Sequence, residues 1–237
     1  MTLAKAARRL SKDLAALSFS PPAAYVLDPL QYARKTHEAY LERYGAGPKE
    51  LVFVGMNPGP FGMAQTGVPF GEVAAVRDYL KIEGTIVSPP NAPPTRPIQG
   101  FACTRSEVSG RRLWGAVQER HPDPDTFFAR AFVANYCPLL FLDAKCANVT
   151  PDKLLAEERR AVEALCDRHL REVGEILRPV RWLPVGVYAE KCLVRVFGKD
   201  VVRTVVPHPS PASPAANRGW SEAARAALLA GGVTDLL

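Results

Sequence analysis

Four short apolar runs, separated by segments of helical spacing, constrain the fold of this chain more than any other feature. The runs cover residues 51–54, 132–137, 182–187 and 203–206, and they are rich in β-branched and aromatic residues. No tight hairpin signal joins any two of them, which argues against antiparallel neighbours. Buried strands separated by helices are typical of a parallel sheet covered on both faces. The sequence therefore predicts an α/β fold, a three-layer α/β/α sandwich with a central four-stranded parallel sheet.

The segments between these runs carry apolar residues at helical spacing. We predict helices that begin near Ser109 and Ala215, and further helices over residues 3–17, 29–43, 72–81, 151–177 and 188–197. A chain of 237 residues, 47% of them hydrophobic, can bury one sizeable core. We therefore expect a single domain over residues 1–237, with residues 1–48 as a helical N-terminal extension packed on it.

The bulk composition narrows the class of function. A net charge of +6 and a pI of about 9.2 favour a polyanionic partner such as nucleic acid. The five cysteines include no C-x-x-C pair, so we expect neither a zinc site nor an iron–sulfur cluster, and a reducing compartment fits best. Charged residues interrupt the apolar residues of the N-terminus, which argues against a secretory signal, and no apolar run is long enough to span a membrane.

A loop crowded with glycine and proline, residues 55–72, follows the first apolar run. Glycine lets a backbone approach a ligand closely, and proline stiffens the path of the chain. Open α/β sheets bind their ligands at the carboxyl ends of strands, where this loop is predicted to lie. The same composition is also compatible with a surface crossover that has no chemical role.

Three polar residues lie at one predicted sheet edge, within or just after strands, namely Asn57, Asn135 and His208. Asn135 interrupts an apolar strand, where its amide could match a planar amide ligand or bond only to local backbone. His208 lies between two prolines that fix its backbone, and a purely structural role is equally open. The remaining histidines have polar neighbours on a predicted helix or helix end and are interpreted as solvated: His37, His121 and His169.

Two further segments leave their roles open. Arg111 and Arg112 lie in the first turn of a predicted helix, where cations oppose the helix dipole unless an anion shares the site. Both could instead be solvated. Residues 88–105 form a proline-rich stretch without periodicity, and stiff loops of this length are either functional or passive.

Several blocks together resemble the single-strand-selective monofunctional uracil-DNA glycosylases, a branch of the uracil-DNA glycosylase superfamily. The blocks are residues 55–73, 106–110, 132–141, 208–211 and 217–220, and they span about residues 51–220. A nineteen-residue loop combined with a distant His-Pro-Ser-Pro element is a specific signal. The resemblance implies a metal-free enzyme without a cofactor, on a parallel four-stranded sheet between helices.

The resemblance also implies roles for the site residues. Asn57 looks like the residue that orients the attacking water, and His208 like the electrophile that bonds the uracil carbonyl oxygen. Asn135 resembles the base reader, and Phe70 the ring that stacks on uracil. The backbone wall of the base site is expected at Met56 and Gly59.

DNA contacts are implied at the second and last blocks, where Ser109, Gly110 and Arg111 begin a helix. The loop after His208 resembles the wedge that fills the gap left by a flipped nucleotide, with the following candidate residues: Pro209, Ser210, Pro211, Ala212, Asn217 and Arg218. Family members carry a basic residue where this chain has Ala212, so either a preference for single strands or a faster release of product is expected. No lysine occupies the loop of residues 55–72, so the abasic site should be left intact.

The expected activity is hydrolysis of the N-glycosidic bond of uracil in single- and double-stranded DNA, and of oxidised or deaminated bases such as 5-hydroxymethyluracil or xanthine. We expect a monomer, in the cytoplasm or nucleoid of a bacterium or the nucleus of a eukaryote. A different class of function also fits the sequence: a catalytically silent single-strand nucleic-acid-binding protein of the same fold. A phosphate-handling hydrolase is disfavoured because neither a Gly-Lys-Ser/Thr loop nor an acidic metal cluster is present.

Overall fold

The computed structural model describes residues 1–202, 204–213 and 216–237. Its α-helices are α1 (Leu3–Leu14), α2 (Pro29–Tyr32), α3 (Arg34–Tyr44), α4 (Met63–Thr66), α5 (Val108–Arg120), α6 (Pro124–Phe128), α7 (Ala156–Leu177), α8 (Val187–Phe197) and α9 (Trp220–Ala230). Its strands are β1 (Tyr25–Leu27), β2 (Leu51–Gly55), β3 (Ala131–Asn135), β4 (Leu140–Leu142), β5 (Asn148–Val149) and β6 (Arg181–Pro184).

The central sheet is parallel, as predicted, and has the strand order β3-β2-β6. Its middle strand, β2, is buried along its whole length, as expected for a strand covered on both faces. The α/β class is confirmed. The prediction of four strands is not, because the described part of residues 203–206 contributes only an isolated parallel bridge between Val206 and Val185. Arg203 lies outside the described residues.

A second, antiparallel sheet was not predicted. Its strands have the order β1-β4-β5, and its register places Tyr25 opposite Leu142 and Leu27 opposite Leu140. The apolar runs that form β2, β3 and β6 pair in parallel, as predicted, whereas β4 and β5, which pair as antiparallel neighbours, lie outside those runs. Strands of two and three residues carry too little alternation to be recognised in the sequence.

Several predicted helices differ in extent from the observed ones. The predicted helix 29–43 is divided into α2 and α3 at Ala33, whose backbone (φ −108°, ψ 26°) leaves the α region. The predicted helix 72–81 contains a π-helical turn, Ala75–Tyr79. Pro151 begins a 3₁₀ turn, Pro151–Lys153, and the long helix α7 begins only at Ala156. Ala215, the predicted start of the last helix, lies outside the described residues, and α9 begins at Trp220.

The N-terminal helix α1 begins at the cap residue Thr2, whose hydroxyl accepts the N–H of Lys5 at 3.3 Å. Helix α1 packs against α7 and α3. The interpretation of His37 and His169 as solvated side chains is wrong. His37 is 7% exposed, and the side chain of His169 is 16% exposed, because both face the interior rather than the polar sides of their helices.

The carboxyl ends of β2 and β3 lie side by side, with Gly55 opposite Asn135. The loop after β2 and the end of β3 therefore meet at one edge of the sheet, as parallel topology requires. None of the helices in the described part of the chain combines the length and hydrophobicity that a membrane-spanning helix needs.

Candidate active site

The site begins where β2 ends at Gly55. A Cβ atom at this position would lie 2.5 Å from the side-chain oxygen Oδ1 of Asn135 and 2.6 Å from the ring of Phe70. Only glycine allows these two side chains to approach the strand end so closely. The sequence thus places an amide and an aromatic ring together at the carboxyl edge of the sheet.

Phe70 has a left-handed backbone, with φ of 53°. This conformation is unfavourable for a bulky residue and persists only where the surroundings fix it. The hydroxyl of Thr66 donates to the carbonyl of Gly71 at 2.9 Å, and the N–H of Glu72 donates to the carbonyl of Phe70 at 2.8 Å. These bonds hold the ring 6.3 Å, centroid to centroid, from the imidazole of His208.

Two amide side chains are oriented by their donor nitrogens. The Nδ2 atom of Asn135 donates to the sulfur of Met63 at 3.2 Å, while its Oδ1 is buried and has no hydrogen-bond partner among the described residues. The Nδ2 atom of Asn57 donates to the carbonyl of Leu139 at 3.4 Å. In both side chains the oxygen is left to accept a hydrogen bond from a bound molecule.

His208 has a defined tautomer. The backbone N–H of Ser210 donates to its Nδ1 at 3.1 Å, so Nδ1 is unprotonated and the ring proton lies on Nε2. Burial lowers the pKa of His208 below its usual value of 6.5. The imidazole is therefore neutral at pH 7 and offers Nε2–H as a hydrogen-bond donor.

The loop that carries His208 contains alternating prolines, which have no N–H and cannot continue a strand. Three side chains donate to its carbonyls: Trp220 Nε1 to Pro207 at 2.7 Å, Arg112 Nη1 to Pro209 at 2.8 Å, and Asn217 Nδ2 to Pro211 at 2.8 Å. Arg112 also donates to Oδ1 of Asn217 at 3.0 Å. Arg112 therefore holds protein backbone, an alternative that the sequence reasoning did not consider for it.

A cavity of about 470 Å³ opens between the two loops. Most of the predicted site residues line it, namely Met56, Asn57, Gly59, Phe70, Asn135, His208, Ser109, Ser210 and Ala212. Residues that the sequence did not single out complete the lining, and they include Met63, Glu107, Asn148 and Thr150. In the part of the chain that the structure describes, no group of three or more His, Cys, Asp or Glu could hold a metal ion.

The other predicted DNA-contact residues lie outside the lining of this cavity. Gly110 is buried, and Arg111 is exposed beside it. Pro211, Asn217 and Arg218 are exposed on the His208 loop and the turn after it. Pro209 is buried on the same loop. DNA contacts at these positions remain predictions.

Glu107 is the residue that sequence reasoning missed and that the structure places most centrally. Its Oε2 accepts the N–H of Phe61 at 3.2 Å, and a Cβ atom on Gly59 would lie 2.3 Å from that oxygen. Burial raises the pKa of the Glu107 carboxyl, an effect that the Phe61 N–H partly offsets. Its sequence signals were its place in the block 106–110, to which no individual role was attached, and its position directly before α5, where an acidic residue is ordinary helix-start chemistry.

An α/β fold with a cavity of about 470 Å³ between two proline-rich loops at the carboxyl edge of a parallel sheet is typical of a ligand-binding or catalytic protein. The family model described as the uracil DNA glycosylase superfamily matches residues 42–229 of this chain. A single-strand selective monofunctional uracil-DNA glycosylase of Rattus norvegicus is 45% identical over 232 residues, which cover 97% of this chain and 84% of the relative. The corresponding protein of Mus musculus is 44% identical, with 97% and 83% covered.

A crystal structure of wild-type SMUG2 from Pedobacter heparinus superposes with a TM-score of 0.67 and covers 97% of both chains. Its 18% sequence identity supports the fold alone. Taken with the family model and the mammalian relatives, the chain belongs to the uracil-DNA glycosylase superfamily and, within it, to the single-strand-selective monofunctional uracil-DNA glycosylases.

Proposed function

We infer that this protein hydrolyses the N-glycosidic bond of uracil in DNA and leaves the abasic site intact. The observation that carries the inference is the convergence of Asn57, Asn135 and His208 around one cavity, each with a free hydrogen-bonding atom. The family to which the chain belongs supports the same activity. A catalytically silent binder is not favoured, because each of these three side chains is already oriented by a protein partner.

Base selection is assigned to Asn135. Its unpartnered Oδ1 accepts the N3–H of uracil, and the second hydrogen of its Nδ2 reaches the neighbouring carbonyl. Cytosine presents an acceptor at N3 and a donor at the adjacent position, so both contacts would be lost. An unpaired buried polar group costs about 1–3 kcal/mol, which makes this an effective basis for rejection. The ring of Phe70 stacks on the base.

Cleavage leaves a cationic sugar and an anionic base, so the reaction gains most from donors aimed at the departing base. The Nε2–H of His208 donates to the uracil carbonyl oxygen as negative charge develops there. Asn57 carries no proton-accepting carboxylate, so its Oδ1 positions the attacking water without activating it strongly. No lysine is among the described residues that line the cavity, which supports simple hydrolysis rather than a Schiff-base lyase step.

The proposal extends to the range of bases removed, the oligomeric state and the cellular compartment. We propose that 5-hydroxymethyluracil and related oxidised or deaminated bases, including xanthine, are substrates. We further propose a monomer that works in the bacterial cytoplasm or nucleoid, or in a eukaryotic nucleus. The two proline-rich loops and the central sheet, with Val206 at the position of a short fourth strand, support the three-layer architecture of the family.

The test is incubation of a uracil-containing oligonucleotide with the protein in EDTA, followed by alkali. Alkali-labile strands are expected from the parent and from Asn91→Ala, whose exposed amide bonds to the carbonyl of Val26 away from the cavity. Asn57→Ala and His208→Ala should each lower the rate by about 10²- to 10³-fold. Binding of the oligonucleotide without strand scission by the parent would favour the silent binder instead.

A further inference from the structure

The proline-rich stretch of residues 88–105 delivers two arginines to one aromatic ring. The guanidinium carbon Cζ of Arg105 lies 3.8 Å from the centroid of the Phe61 ring, and that of Arg96 lies 5.3 Å from it. Phe61 and Arg96 are partly exposed, and Arg105 is exposed. We call these three residues the Phe61 ledge. Stacking holds a guanidinium by its face and leaves its N–H edges free to bind an anion.

The ledge is held rigidly although its backbone is irregular. Gln65 is buried, and its Oε1 accepts the N–H groups of Gln99 at 2.8 Å and Gly100 at 3.1 Å. Its Nε2 donates to the carbonyls of Pro60 at 2.9 Å and Pro97 at 3.3 Å. One buried amide therefore fastens the proline-rich stretch to the loop that carries Phe61.

The ledge adjoins the mouth of the active-site cavity. Pro60, the residue before Phe61, lines the cavity. Glu107 lines it as well and accepts the N–H of Phe61. Along the chain, Arg105 precedes Glu107 and Ser109, both of which face the cavity. A strand whose flipped nucleotide enters the cavity must leave it over one of its rims, and the ledge borders the cavity through Pro60 and Glu107.

The charges of the ledge are not neutralised. Within residues 1–202, 204–213 and 216–237, no carboxylate forms an ion pair with Arg96 or Arg105, whereas other arginines such as Arg130 and Arg195 are paired. Two uncompensated guanidiniums beside an aromatic ring are the combination with which proteins hold single-stranded nucleic acid, through phosphate contacts and base stacking.

We propose that the Phe61 ledge binds backbone phosphates of single-stranded DNA beyond those that directly flank the flipped nucleotide. This surface is separate from the helix start at Ser109 and from the His208 loop, to which the sequence assigned DNA contacts. The proposal rests on the proposed function, because it extends the path of the strand that presents uracil.

The experiment compares the variant Arg96→Ala/Arg105→Ala with the parent and with Arg171→Ala, which removes an exposed charge from α7. Binding is measured by fluorescence anisotropy at several salt concentrations, with a single-stranded oligonucleotide of about 20 nucleotides whose uridine carries a 2′-fluorine that blocks cleavage. The double variant should bind on the order of tenfold more weakly near 0.1 M salt, with a salt slope smaller by about 1.4 for two lost phosphate contacts. Arg171→Ala should match the parent.

A second readout compares kcat/KM on a long single strand with kcat/KM on a trinucleotide that has a central uracil. Loss on the long strand alone is expected, because the trinucleotide is too short to reach the ledge. Equal loss on both would overturn the proposal, since the arginines would then only stiffen the cavity wall. An unchanged affinity and salt slope would also overturn it.

Arg96→Lys/Arg105→Lys keeps both charges and is the control for a folding defect in the alanine variant. It should restore the salt slope while recovering affinity only in part, because lysine does not stack as guanidinium does. If the parent released no uracil, the proposed function would fail, yet the anisotropy series would still decide whether the ledge binds DNA.

Discussion

The two loops that frame the cavity are held by different physical means. The loop with Asn57 is held by close packing: Glu107 fills the space beside Gly59, and Gly55 leaves room for Phe70. The loop with His208 is held by donors that reach in from α5 and from the segment before and at the start of α9 to satisfy proline carbonyls. The first loop should therefore tolerate almost no added atoms, and the second almost no lost hydrogen bonds.

The largest effect on stability is expected where an atom is added next to the closely packed loop that carries Asn57 and Phe70. A Cβ at Gly110 would lie 2.1 Å from the carbonyl oxygen of Phe70, which is backbone and cannot move away cheaply. Gly110→Ala should lower the free energy of unfolding by about 3 kcal/mol or more. Gly115 lies on the same helix, and a Cβ there would meet no atom within 4 Å, so Gly115→Ala should raise stability by about 0.5–1 kcal/mol. Urea denaturation measures both, and equal effects would contradict the comparison.

Acid should also lower the free energy of unfolding through the closely packed loop that carries Asn57 and Phe70. The Nδ1 atom of His37 donates to the carbonyl of Gly67, in this loop, at 2.7 Å. Burial lowers the pKa of His37 to about 4. The unfolded chain binds this proton already near pH 6.5, so the stabilising contribution is complete above that pH and is lost as the pH falls toward 4. The loss between pH 7 and pH 5 should be about 2 kcal/mol.

A buried neighbour adds to this dependence. Burial lowers the pKa of His169 to about 3, and the positive charges of Arg168 and Arg9 act in the same direction. The Glu172 carboxylate, 4.0 Å away, does not outweigh them. His37→Gln keeps a donor for Gly67 and should make the pH dependence of the unfolding free energy shallower. A slope identical to that of the parent would show that His37 does not titrate in this range.

Removal of a donor should affect the His208 side most. Arg112→Ala deprives the carbonyl of Pro209 of its partner, and a small displacement of His208 should lower kcat by about tenfold to a hundredfold. Arg111 is the matched control, because its guanidinium contacts only the Ser106 hydroxyl, at 3.4 Å, among the described residues. Arg111→Ala should raise KM with little change in kcat. The same kcat for both variants would mean that the hydrogen bond from Arg112 to the Pro209 carbonyl does not position His208.

The smallest effect concerns the tip of the His208 loop. Ala212 is exposed and lines the cavity, and a methyl group cannot occupy the gap that a flipped nucleotide leaves in a duplex. Ala212→Arg should raise the ratio of double-strand to single-strand activity several-fold. Ala226→Arg adds the same charge on α9 and should leave the ratio unchanged. No change with Ala212→Arg would refute the prediction.

The part of this molecule that could be predicted from sequence is the part built from local patterns. Buried strands and the glycine-rich loop are read from neighbouring residues, so β2, β3 and β6 and the meeting of Asn57 with His208 at one cavity followed from topology. The antiparallel sheet escaped because β1 pairs with β4 more than a hundred residues later in the chain, and neither strand is long enough to show alternation.

Buried polar residues escaped for a different reason. Glu107, directly before α5, and His37 and His169, on α3 and α7, occupy positions that are ordinary for solvated residues. Only the tertiary approach of Gly59, Gly67 and α1 buries His37 and partly buries the other two. Their desolvation has no signature in a single sequence. Arg112 illustrates the same point, because its helix-start position predicted an anion or solvent while its actual partner is a proline carbonyl.

The left-handed backbone of Phe70 has a consequence for how the base is received. An unfavourable conformation of this kind lowers the stability of the folded chain by about 1–3 kcal/mol, and it is imposed while the protein folds. The ring is also only 8% exposed and packs beside Gly55, so it is already in place when a nucleotide arrives and little rotamer entropy has to be lost at that moment. Under the proposed stacking role of Phe70, the flipped base meets a rigid surface, and selection between bases depends on their fit and not on the ability of the protein to adjust to them.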